Sequence, residues 1–158
     1  MSLQIATLLR AVYFGGNWTA VNFKNVLEDV TWEEATTRIG PLNTIVTLVY
    51  HTSYYITAVG KVLEGGSLDA KDKYSFDHPA IASEEDWVSL REGVYKNAEY
   101  FATLLEKFPE EHLSATFVEG KYGTYYRNFH GIIEHLHYHL GQIVLIKKLI
   151  RENFNGKK

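Results

Sequence analysis

The run Ile132-Ile-Glu-His-Leu-His-Tyr-His-Leu-Gly-Gln-Ile-Val-Leu-Ile-Lys-Lys-Leu-Ile150 decides how the chain folds. At about 100° per residue, Ile132, Ile133, Leu136, Leu140, Ile143, Val144, Ile146 and Ile150 fall on one arc of a helix. His139 lies inside that arc and His135 at its edge. His130 and His137 share a different face with Glu134, Lys148 and Glu152, which is the charged face. The run therefore predicts an amphipathic helix, over about Thr124 to Asn153, that turns two of its histidines toward the core.

A second run, Asn43-Thr-Ile-Val-Thr-Leu-Val-Tyr-His-Thr-Ser-Tyr-Tyr-Ile56, has the same character. It predicts a helix from Asn43 to Leu63, ending at the C-cap signal Gly65-Gly66. His51 shares its side with Leu48, Tyr55, Val59 and Val62, at the border of the apolar stripe. Residues four apart on a helix lie about 5–6 Å apart at Cβ, so His135 and His139 can hold one divalent ion together. His51 from a facing helix would make a three-nitrogen site with a coordination position left open, the arrangement of catalytic rather than structural sites.

The remainder reads as helix as well. The first helix covers Ser2 to Phe14. Gly15-Gly-Asn-Trp18 interrupts it, and Thr19 to Asp29 resumes it. Thr31 and Glu34 form a capping box for a short helix, Trp32 to Ile39. Ser83 caps a third long helix to Lys107, with Glu84, Glu85 and Asp86 near its positive end. Pro41, Pro79 and Pro109, the three prolines of the chain, fall between these segments. The fold class expected is all-α, a single domain over 1–158: a four-helix bundle with a long crossover loop, Ser67 to Ala82, between the second and third long helices. Loops of that length are uncommon in compact domains and are often functional, so Asp69, Asp72, Asp77 and His78 become candidates for a lid over an open metal position; a solvated crossover is the plainer reading.

Composition narrows the chemistry. The 158 residues are 46% apolar, enough for a substantial core. A net charge of −3 argues against a nucleic-acid partner, which needs a basic patch. With no cysteine there is no disulfide framework, thiolate site or cysteine nucleophile. A metal would be held by histidine and carboxylate, a donor set that suits Zn, Ni, Mn or Fe. The sequence carries no apolar stretch long enough to span a bilayer and no signal-peptide pattern, so a soluble, cytoplasmic protein is expected.

Taken together, His51 on the second long helix and His135-Leu-His-Tyr-His-Leu-Gly-Gln142 on the last resemble the DinB/YfiT-like superfamily. That family's last helix typically carries His-x-x-x-His-Arg-Gly-Gln, matched here by His135, His139, Gly141 and Gln142, with Leu140 in place of the arginine. The resemblance covers nearly the whole chain. It implies a four-helix bundle holding a divalent metal on His51, His135 and His139. It also implies a metal-dependent enzyme acting on a small-molecule substrate, either a thiol-dependent S-transferase using a low-molecular-weight thiol or a hydrolase. No catalytic residue beyond the ligands is assigned: Glu134 projects from the ligand face, while Tyr54, Tyr55 and Gln142 lie near it. The alternative is a non-catalytic metal-binding or ligand-binding dimeric bundle. A homodimer is expected in either case. Aromatics make up 14% of the chain, and Trp18, Trp32, Trp87 and the tyrosines from Tyr122 to Tyr126 are the interface candidates.

Overall fold

A computed structural model describes residues 1–155, with side chains to Glu152. The described residues are all-helical: α1 (Ser2–Phe14), α2 (Phe23–Leu27), α3 (Trp32–Thr36), α4 (Ile45–Leu63), α5 (Glu84–Lys107) and α6 (Tyr125–Asn155). Four are long. Helix α1 packs against α5 and α6, and α4 packs against the same two. The short α2 lies on α1, and α3 against α4 and α5. Leu9, Val12 and Tyr13 of α1, Val49 and Ile56 of α4, Phe101 and Leu105 of α5, and Leu136, Ile143 and Ile150 of α6 meet in one core.

Local chemistry sets the helix limits. The Thr31–Glu34 capping box opens α3, but α3 stops at Thr36 rather than Ile39. The Thr36 and Thr37 hydroxyls donate back to the carbonyls of Trp32 and Glu33, at 2.8 and 2.6 Å, and Thr37 turns extended. The segment expected to be helical from Thr19 enters helix only at Phe23. Asn22 is its N-cap, its side chain accepting the Asn25 N–H at 2.9 Å. Asn17 holds the preceding turn by donating to the carbonyls of Ala11 and Val21. Thr44 caps α4, accepting from the Thr47 N–H at 3.2 Å. At its other end, Gly66 N–H bonds to Lys61 O and Gly65 N–H to Val62 O, a Schellman motif. Gly65 has φ 87, and a Cβ on Gly66 would stand 2.9 Å from Lys61 O.

The tryptophans separate by environment. Trp18 is 99% exposed. Trp32 is half-buried against the core. Trp87, expected as an interface candidate, is fully buried, and its indole N–H donates to Val30 O at 2.8 Å. Its phase on α5 explains this: Val94, Ala98, Phe101, Ala102 and Leu105 lie on the same buried side. No helix among the described residues is long and apolar enough to cross a membrane.

Candidate metal centre

Helix α4 supplies His51, and α6 supplies His135 and His139 from successive turns. Among the described residues these three are the only group of His, Cys, Asp or Glu placed to hold a metal ion, their candidate ligand atoms lying within 4.8 Å of one another. His135 Nε2 is 3.0 Å from both His51 Nε2 and His139 Nε2. Two nitrogens at about 2.1 Å from a shared tetrahedral ion lie roughly 3.4 Å apart, so the rings need move by only a few tenths of an ångström.

The far side of each outer ring settles which nitrogen faces inward. Ser75 Oγ donates to Asp72 O at 2.7 Å and lies 2.8 Å from His51 Nδ1, so it accepts the Nδ1 proton. Gln142 Oε1 lies 2.7 Å from His139 Nδ1 and accepts there. Both imidazoles are thereby held as Nδ1–H tautomers, with their Nε2 lone pairs aimed at His135. Orientation of this kind by an outer hydrogen bond is typical of metal-ligating histidine. Phe76 stacks on the His51 ring with centroids 4.2 Å apart, and Tyr55 meets the His51 and His135 rings edge-on.

Burial keeps the cluster neutral. His51 is 5% exposed and His139 8%. Desolvation, then the neighbouring His139 and His51, lowers the His135 pKa to about 4. Desolvation, then His139, lowers that of His51, against a smaller opposing pull from Asp72. For His139 desolvation lowers the pKa and the Gln142 bond opposes it. Three bases in one pocket resist a proton because each proton would meet buried surroundings and, at His135 and His51, a second imidazolium.

A cleft of about 670 Å³ opens beside the triad, lined by His51 and His135 with Tyr55, Asp72, Arg127 and Ile132 among others. The Tyr55 hydroxyl donates to Asp72 Oδ1 at 2.6 Å. Burial and that carboxylate push the Tyr55 pKa up to about 12, so the phenol stays protonated.

The segment 67–82 between α4 and α5 reaches the site and is more than a solvated link. A short 3-10 turn, Asp72–Tyr74, carries Ser75 and Phe76 onto His51. The Tyr54 hydroxyl anchors it, accepting from Lys71 N at 2.9 Å. Of the four loop candidates, Asp72 lines the cleft. Asp69 and Asp77 are exposed, and His78 bonds to Pro79 O. Glu134 is exposed and faces Arg127. His130 and His137, expected in solvent, are half-buried and stand outside the triad, His130 lying against Tyr126. Leu140 is a buried core residue.

Sequence reasoning passed over Ser75 and Phe76, which sit in a loop with no periodicity to phase them. It placed Gln142 near the ligands but gave it a water or a helix end; i+3 spacing from His139 was the available signal. Compared with family models, with curated proteins and with solved structures, the chain matches none.

Proposed function

We propose that the chain is a metal-dependent enzyme of the DinB/YfiT-like type. Its four long helices would form a four-helix bundle with residues 67–82 as the crossover. A divalent ion, Zn, Ni, Mn or Fe, would be held by His51, His135 and His139. The observation that carries this reading is the convergence of three neutral imidazoles, two with Nδ1 fixed by Ser75 and Gln142, beside an open cleft. The donors suit such an ion: nitrogen bases that burial has stripped of protons, with no fourth protein ligand among the described residues. When bound, the ion would act as a Lewis acid and lower the pKa of a water or a thiol.

The chain's own residues supply positioning. Ser75 and Gln142 fix ring orientation. Phe76 closes one side of His51 against solvent. Tyr55, protonated and held by Asp72, offers a polar edge to the cleft next to His135. The reaction would be S-transfer to or from an external thiol, since the chain has no cysteine, or hydrolysis of a small molecule.

The test starts from metal-free protein loaded with Zn, Ni or Mn in turn. One ion per chain is expected. His51→Ala, His135→Ala and His139→Ala should each weaken binding by more than about a hundredfold, beyond the loss typical of an outer partner. The melting temperature of each metal-free variant should stay within about 3 °C of the parent, because the helices share one packed core without the ion. A folded chain that retains none of the three ions would sink the proposal. Loaded protein is then assayed with a thiol plus an electrophile and with simple esters, to separate transfer from hydrolysis.

A further inference from the structure

We infer that the cleft beside the triad takes a small molecule bearing an acid group, with Arg127 holding the acid and the ion holding the other end. This rests on the three-histidine reading and adds the chemical class of the ligand.

Arg127, Gly131 and His135 recur every four residues, so they form one stripe along α6. All three line the cleft. Gly131 makes the stripe usable: a Cβ there would stand 3.0 Å from Arg127 Nη1. The guanidinium therefore reaches forward along the helix to the level of Gly131, four residues from His135. Four residues rise roughly 6 Å, which suits an acid separated from a metal-binding head by about two or three carbons.

Charge favours an anion there. The cations lining the cleft are Lys121 and Arg127, and the anion is Asp72, already engaged by Tyr55. Arg127 faces Glu134 at 3.4 Å, a long contact between side chains 66% and 68% exposed, and an incoming carboxylate can replace it. Lys121 stays at the rim, held by Glu119 at 2.8 Å and standing over the Tyr122 ring. The start of α6 has little to offer an anion. Tyr125 N–H and Tyr126 N–H donate to Ala115 O and Leu113 O, and Arg127 N–H to Thr124 Oγ1. Recognition falls to the guanidinium, whose planar fork matches a carboxylate with two parallel hydrogen bonds.

The full chain loaded with Co(II) is titrated with succinic monohydroxamate and with butanohydroxamic acid, a neutral probe of equal length, and the visible absorption of the cobalt is followed. The acid should bind roughly tenfold more tightly, as expected for a charge-assisted pair. Arg127→Met should erase that preference and leave butanohydroxamic acid affinity unchanged, with far-UV circular dichroism showing the fold retained. Gly131→Ala, which displaces the guanidinium, should reduce the preference in part. Equal affinity for the two probes, or a preference that survives Arg127→Met, overturns the acid subsite while cobalt uptake leaves the three-histidine reading standing. A folded chain that takes up no cobalt removes that reading, and the bridged ligand with it.

Discussion

His135 and His139 of α6 sit with His51 in a pocket where, among the described residues, no carboxylate hydrogen-bonds to them, and burial holds all three neutral. About three turns further along the same helix, Lys147 and Arg151 are met by acids. Arg151 donates to both Glu34 oxygens at 2.8 and 3.0 Å and to Asp29 Oδ2 at 2.8 Å, and Lys147 also reaches Asp29. Arg151 and then Lys147 hold the Asp29 pKa down at about 2, and Arg151 lowers that of Glu34. One end of the helix has its charges balanced within the protein and ties α6 to α3 and the chain after α2. The middle of the helix, around His135 and His139, has inward lone pairs with no cation among the described residues to meet them. A cluster of bases is inexpensive to bury only while neutral, and in that state its lone pairs are available to an ion from outside.

The largest way to sharpen this contrast is to loosen one ring while keeping all three histidines. Gln142→Ala leaves His139 in place but frees its Nδ1. Zinc affinity should fall about 10- to 100-fold by calorimetric titration, the range for an outer partner of a ligating histidine. An unchanged affinity would mean that the Gln142 bond does not orient the ring.

Acid should separate the two regions by pH window. For His135 the folded pKa, about 4, lies below the ordinary 6.5. Protonation thus favours the unfolded chain: the stability is present above pH 6.5 and is lost as pH falls toward 4. The loss should be on the order of 2 kcal/mol, discounted for partial exposure. Asp29 is lowered from 3.8 to about 2, so its contribution persists above pH 3.8 and disappears as pH falls through 2. Urea midpoints of metal-free protein should show these as two successive declines. A flat profile between pH 6.5 and 4 would contradict the burial of neutral histidine.

The smallest effect expected is at the balanced end. Arg151→Met should cost about 1 kcal/mol, since the network is half-exposed, and lower the melting temperature by about 2–4 °C. Zinc affinity should stay within about twofold. A larger change in zinc binding would show that the two regions of α6 are coupled rather than independent.

What the sequence made legible follows from periodicity. His51, His135 and His139 could be phased because each lies in a long amphipathic run, and the structure brings all three together. Trp87 was equally phasable against Phe101 and Leu105, yet aromatic content alone suggested an interface; counting a residue type says nothing about which side of a helix carries it. Ser75 and Phe76 had no such signal. Their place depends on how the chain between α4 and α5 returns across α4, a long-range matter that local pattern does not encode. The ends of α2 and α3 were shifted by Asn22, Thr36 and Thr37, whose side chains bond to nearby backbone and stop or start helix within one turn.

The Ser75–His51 bond gives the segment between α4 and α5 a share in whatever equilibrium the histidines enter. If an ion favours the Nδ1–H form of His51, it favours the loop that accepts that proton, and an arrangement of residues 71–76 that holds Ser75 in place favours the ion by the same free energy. A molecule pressing on this loop from outside would therefore alter ion affinity without touching a ligand. The segment that joins two helices would then be a handle on an ion held between them.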